Sequence, residues 1–229
     1  SHNYLFNEET DHQTAYDWAR KGFQLVHAEG SGQPYTQNEF GGNHTVGAYI
    51  QTDIDSYGRG VYYSLLASAF LNAGSSGLLH WEFFDQYYNG GPEESSLMKV
   101  GLFKFETEGW LPRPFYHAWG LIMRHTRRGS SVYPMTFPEG DISGTALKTP
   151  DGAWTYIVTN ANKEGKGRLV RIDNRSAESL TLQRYVYNPE TAVTDDDRLI
   201  GGSGPAVCAD GAVYVWVEAD TFLVLTDIK

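Results

Sequence analysis

The texture of this sequence changes near residue 130, and that change constrains the fold more than any other feature. Before it, helical and strand patterns alternate. After it, short strand patterns follow one another between turn signals. Alternation of the first kind builds a parallel sheet flanked by helices, whereas a run of short strands builds antiparallel sheets. The chain therefore reads as α/β plus all-β, with residues 1–129 as one unit and 130–229 as the other.

In the first unit, Thr10 and Asp11 can cap a helix over residues 12–27. Its apolar stripe is Tyr16, Ala19, Phe23 and Val26, and Gly30 ends it. After the turn at Ser31-Gly32-Gln33-Pro34, residues 35–40 form an expected strand that Gly41-Gly42 stops. A second helix is expected over residues 53–73, with Ile54, Tyr57, Val61, Leu65 and Ala69 at helical spacing and Gly74 just past its end. Residues 77–84 are an apolar run of the kind that suits a parallel strand covered on both faces. A loop over 85–109 leads to a third helix, opened by Pro114 and ending by Arg128. In the second unit, strands are expected at 154–159, 168–172, 179–187, 212–217 and 221–225. Turn signals such as Pro150-Asp151-Gly152, Asn188-Pro189 and Asp210-Gly211 separate them, which reads as an antiparallel β-sandwich.

Composition excludes several classes of function. With 41% hydrophobic and 14% aromatic residues the chain can bury a core. The net charge of -10 and the lack of a basic stripe argue against nucleic acid. Arg124, Arg127 and Arg128 read as the solvated end of a helix. The single cysteine, Cys208, gives no disulfide framework and no cysteine-based metal site. No apolar run reaches the ~18 residues of a membrane span. His12, His27, His44, His80, His117 and His125 have no metal-ligand spacing, and Asp195-Asp196-Asp197 reads as a solvated turn. Asn89-Gly90-Gly91-Pro92 lacks the lysine of a phosphate loop, and no serine sits in a nucleophile elbow. Neither metal nor cofactor is expected.

The first unit holds two strand–helix repeats and one leading strand, where a closed (β/α)8 barrel has eight repeats in roughly 250 residues. An open arc of parallel strands leaves edges unpaired. The expected partner is therefore the N-terminal half of the barrel, on the same protein or a separate chain. The opening Ser1-His2-Asn3-Tyr4 is neither a signal peptide nor a natural start, and reads as a tag remnant or a cut.

Three segments carry chemistry. In Tyr35-Thr36-Gln37-Asn38-Glu39-Phe40-Gly41-Gly42, a carboxylate ends a barrel strand, where such barrels place their active sites. The two glycines leave it open to the cleft. Glycoside hydrolysis needs two carboxyl groups, about 5–5.5 Å apart when one is a nucleophile. Glu39 is the candidate nucleophile, against the plainer reading of a Glu at a strand end, with Asn38 beside it as a substrate contact. In Leu78-Leu79-His80-Trp81-Glu82-Phe83-Phe84-Asp85, Trp81 can floor a sugar subsite or fill the core. Glu82 and Asp85 either reach the cleft or cap the strand. His2 and Tyr4, two residues apart on a strand, share one side and are placed to bond Glu39 or substrate hydroxyls.

Taken together, the order His-x-Tyr, helix, Thr36-Gln37-Asn38-Glu39-Phe40-Gly41-Gly42, helix, Leu78 to Asp85, Gly101-Leu102 and Pro114-Phe115-Tyr116-His117-Ala118 resembles the last three repeats of clan A glycoside hydrolases. The nearest likeness is to the β-xylosidase and α-iduronidase family and to cellulase-like relatives. The trailing strands, ending in Thr221-Phe222-Leu223-Val224-Leu225-Thr226, resemble the accessory domain common in that clan. The resemblance implies the C-terminal part of a (β/α)8 barrel, about strands six to eight, and retaining hydrolysis of a carbohydrate substrate. It implies Glu39 as nucleophile, His2 and Tyr4 as the strand-six pair beside it, and Trp81 as the strand-eight tryptophan. A non-proline cis peptide is expected between Trp81 and Glu82. A secreted or periplasmic setting is also implied. The clan's acid/base follows an Asn on strand four, upstream of this sequence; Asn7-Glu8 does not fit it. The chain alone should therefore lack its proton donor and be inactive. The rival readings are a carbohydrate-binding or scaffold protein on the same fold, and glycan binding by the second unit itself. The latter is disfavoured because such units more often pack on the barrel and stabilise it.

Overall fold

The computed structural model describes residues 2–6, 9–30, 32–42, 50–51, 53–88, 97–174, 179–193 and 196–228, with the backbone alone at 2–5 and 42. The first unit runs β1 (His2–Phe6), α1 (His12–Glu29), β2 (Thr36–Gly42), α2 (Gly58–Asn72), β3 (Gly77–His80), β4 (Gln86–Tyr87), β5 (Leu97–Met98) and α3 (Pro114–Arg124). Strands β1, β2 and β3 pair in parallel in that order. The strand–helix alternation expected from the sequence is present.

Local chemistry explains the boundaries. The Asp11 carboxylate accepts from the amide of Thr14 at 2.7 Å, which satisfies an orphan donor of α1. Helix α2 starts later than expected because Asp53, at φ 53°, opens a turn first, closed by Ser56 N–H on its carbonyl. Gly74 takes φ 108°, the left-handed geometry a helix end favours. Helix α3 stops at Arg124, short of the expected 128, and the next carbonyl, that of His125, accepts from the Thr155 hydroxyl at 2.8 Å.

Helix α2 is buried from Arg59 to Phe70. A helix apolar all round is one enclosed on every side. Here Phe40 of β2 packs on Tyr63 and Phe70. On the opposite flank the Ser64 hydroxyl meets that of Thr159 at 2.6 Å.

The second unit contains β6 (Ser131–Pro134), β7 (Ile142–Lys148), β8 (Trp154–Asn160), β9 (Arg168–Asp173), β10 (Ser179–Tyr187), β11 (Gly204–Ala209), β12 (Ala212–Val217) and β13 (Thr221–Thr226). Pairing is antiparallel in the order β6-β7-β8-β13-β10-β11-β12-β9. Hydrogen bonding runs unbroken through all eight strands. The unit is thus one sheet curled on itself, where two sheets packed face to face were expected. Tyr156, Val158, Leu223 and Leu225 from one end share a core with Val170, Ile172, Val213 and Val215 from the other. The alternate residues Leu147, Ile157, Phe222 and Val224 join the core of the first unit. Strands β6, β7 and β11 escaped the sequence reading because Ser, Gly, Ala and Pro interrupt their patterns. Their neighbours in the sheet make them strands.

A stacked pair fastens the two units. The rings of Tyr57 and Tyr187 lie 4.8 Å apart at 7°. The Tyr187 hydroxyl donates to the Tyr57 carbonyl at 2.9 Å, and the Tyr57 hydroxyl donates to that of Asp220 at 2.6 Å. Gly60 makes room, since a Cβ there would lie 2.2 Å from the Tyr187 hydroxyl.

Candidate active site

The parallel sheet has one face under helices; among the described residues nothing packs on the other, the bare face, where Asn38, Leu79 and Trp81 are exposed. Regular strands send alternate side chains to opposite faces. In β2 the rule breaks once. Gln37 and Phe40 are both fully buried, three residues apart, and the pairing with β3 shifts register between them. Phe40 packs on Trp119 of α3, and Gln37 donates to the Tyr35 hydroxyl at 2.8 Å. With both on the helix side, the irregularity turns Asn38 and Glu39 together towards the other face. Asn38 is exposed there, Glu39 half-buried. The glycines after Glu39 do not stop the strand, which continues through Gly42. Gly41 instead permits close packing: a Cβ would lie 2.5 Å from the Gln51 amide and 3.0 Å from the Tyr63 hydroxyl.

In β3, His80 pairs with Phe40 and points to the helices, so Leu79 and Trp81 face the bare side. They are 55% and 40% exposed, and no aromatic ring among the described residues stacks on Trp81. The His80 ring is pinned between the Tyr63 hydroxyl at 3.0 Å (Nδ1) and the Val100 carbonyl at 3.1 Å (Nε2). A carbonyl only accepts, so Nε2 carries the proton and Nδ1 accepts from Tyr63. Burial holds the imidazole at about 4, neutral at pH 7. The peptide between Trp81 and Glu82 is cis, as the resemblance implied. Strand β3 ends at His80, four residues before the expected end.

Glu82 is half-buried. Its Oε2 accepts from Gln86, and its buried Oε1 has no hydrogen-bond partner among the described residues. Burial, and then the charge of Asp85, push its carboxyl up to about 7. Asp85 is corrected. It is fully buried and does not reach the bare face. Its carboxylate accepts from both Arg113 end nitrogens at 2.8 Å, and from the amides of Val100 and Gly101 at 3.1 and 2.9 Å. It anchors the loop after β3 rather than a substrate. Arg113, missed in the sequence, gave no signal because its partner lies 28 residues away.

The backbone of β1 places His2 beside Glu39 in register. The side chains of His2 and Tyr4 lie outside the described residues, as do Asn7-Glu8, His44, Asn89-Gly90-Gly91-Pro92 and Asp195. Asp196 accepts from the backbone of Arg198 at 2.8 Å, a local turn.

The sequence matches no family model and no curated protein. Solved structures do match. A GH30 endoxylanase from Clostridium papyrosolvens C71 aligns over 98% of this chain and 47% of its own, with a TM-score of 0.63 at 14% identity. A GH51 arabinofuranosidase from Xanthomonas axonopodis pv. citri aligns over 99% and 49%, with a TM-score of 0.66 at 13% identity. The catalytic domain of GH30 xylanase C from Talaromyces cellulolyticus aligns over 87% and 42%, with a TM-score of 0.62 at 12% identity. The chain thus spans about half the length of these structures. Its fold is that of about half of each of these glycoside hydrolase structures.

Proposed function

We propose that this chain is the C-terminal part of a retaining glycoside hydrolase, with Glu39 as its nucleophile. The observation that carries the reading is the irregularity of β2, which turns Asn38 and Glu39 to the bare face that Trp81 of β3 also borders. A carboxylate and an amide on β2 beside an unstacked indole just past the end of β3 suit a sugar's ring face and hydroxyls. The remaining barrel strands, from the same protein or a second chain, would cover the bare face and supply the acid/base.

In that assembly a Glu39 oxygen bonds to the anomeric carbon as the glycosidic C–O bond breaks. The acid/base gives its proton to the departing oxygen. Water, deprotonated by the same group, then releases Glu39. His2 and Tyr4 orient the nucleophile, and Trp81, Asn38 and Glu82 hold the sugar. Xylan and arabinofuranosides, named for the similar structures, are the first substrates to try.

Glu39→Gln in the complete protein should remove nearly all turnover of aryl glycosides while leaving the unfolding temperature unchanged. Unaltered turnover would refute the assignment. The rival, a non-catalytic saccharide binder, predicts binding without turnover in the unmodified protein and no second carboxyl within about 6 Å of Glu39.

A further inference from the structure

The curled sheet of the second unit has a near side and a far side. On the near side, Leu147, Ile157, Phe222 and Val224 pack on the first unit. On the far side, β9, β11 and β12 alternate buried and more exposed positions. Val170, Ile172, Cys208, Val213 and Val215 point inward to the core shared with β8 and β13. That core lies between these strands and the ones that cover α2, so the alternate row faces away from the first unit.

Outward positions of a solvated antiparallel sheet are normally polar. Here they include Leu169, Val207, Tyr214 and Trp216, which are 66%, 60%, 60% and 50% exposed. Apolar side chains gathered on an open face mark an interaction surface. In the register, Leu169 stands opposite Trp216 and Arg171 opposite Tyr214. Tyr214 and Trp216 are two residues apart on β12, so they share the face about 7 Å apart along the strand. Gly167 leaves room for the indole, since a Cβ there would lie 2.4 Å from it. The Arg171 guanidinium lies 5.8 Å from the centre of the Tyr214 ring and pairs with Asp173 at 2.8 Å, both side chains more than half exposed.

We propose that this far face is a second binding site, a platform for an extended polysaccharide chain of neutral pyranose units. Two open rings in a row on one strand can take the C–H faces of successive sugars, and the ion pair beside them offers donors and acceptors to the hydroxyls. A second protein fits less well. Four apolar side chains fall far short of the roughly 20–30 residues a side of a stable interface. The core of such an interface is also depleted in charge, whereas an exposed ion pair stands beside these rings. The net charge of -10 disfavours nucleic acid. Packing on the first unit, the expected role of this sheet, uses the near strands and leaves the far face free. The platform is separate from the site around Glu39, and loss of the catalytic reading would leave it standing.

The test is affinity electrophoresis of the full chain through native gels holding soluble xylan or hydroxyethyl cellulose, with sedimentation velocity for the oligomeric state. The expected result is a monomer slowed by at least one of the two polysaccharides. Trp216→Ala should weaken the affinity about tenfold, ~1.4 kcal/mol. Tyr214→Ala should weaken it in the same direction, and so should Leu169→Lys on the neighbouring strand. All three side chains are exposed, so the unfolding temperature should hold, and any one variant that keeps it decides the matter. Trp81→Ala and Glu39→Gln should leave the retardation as it was. The proposal is overturned by unretarded migration in both gels, by folded variants of this face that migrate as the parent does, by retardation that Trp81→Ala abolishes, or by a dimer that Trp216→Ala dissociates.

Discussion

The two sheets of this molecule are covered differently. The parallel sheet of the first unit packs one face on its helices and leaves Asn38, Leu79 and Trp81 open on the other. In the curled sheet, β8 and β13 are buried along their whole length, one face on α2 and the other on the sheet's own far strands. The difference teaches where function can sit. A strand covered on both faces has every side chain committed to packing, whereas a strand end with a bare face can hold groups for chemistry. The anchors differ as well. The curled sheet is held by continuous hydrogen bonding, the loop after β3 by a few backbone bonds gathered around the buried Asp85–Arg113 pair.

That pair is the sharpest place to break the contrast. Asp85→Ala leaves the Arg113 guanidinium buried with only Asp55 and carbonyls as partners, and should cost about 3–5 kcal/mol in urea unfolding. A cost below ~1 kcal/mol would mean the loop is held otherwise. The joint comes next. Gly60→Ala drives a methyl into the Tyr187 hydroxyl and should cost about 1–3 kcal/mol by overpacking. If the two units part independently, unfolding followed at the tryptophans and by far-ultraviolet dichroism should cease to coincide.

A smaller effect concerns Glu82. Its carboxyl ionises at about 7 in the fold, against an ordinary 4.5. Between those values the unfolded chain has released the proton and the native chain keeps it. Stability therefore falls as pH rises through that window. Glu82→Gln should gain on its parent as pH rises from 4.5 to 7, measured by urea midpoints at constant ionic strength. Buried His80, held at about 4 against 6.5, acts in the opposite sense, so parent and variant must be compared at each pH. A constant difference between them would place Glu82 in water. The smallest effect belongs to the bare face. Leu79→Ala should change stability by less than about 0.5 kcal/mol in this chain. A core-sized loss would mean that face is already covered.

Much of this was legible in the sequence. The capping Asp11, the first-turn Pro114 and the left-handed Gly74 act within a turn of their own position, and the helices began or ended near them. The motifs around Glu39 and Trp81 were likewise local, and they fell on or beside adjacent strands, Glu39 within β2 and Trp81 just past β3. The register irregularity that turns Glu39 outward was not legible, because it exists only against β3. Nor was the fate of Asp85, which read equally well as a cleft residue or a strand cap.

The sequence by itself determined the three helices and most of the strands, the change from α/β to all-β texture, and the carboxylate and indole motifs of two adjacent strands, because periodicity, caps and turns are set by neighbours along the chain. Only the tertiary structure decided that Asp85 belongs to Arg113, that eight strands form one curled sheet, and that one face of the parallel sheet stays open. Each of those depends on which distant groups a strand meets, and hydrogen bonds or burial between such groups leave no period in the chain that makes them.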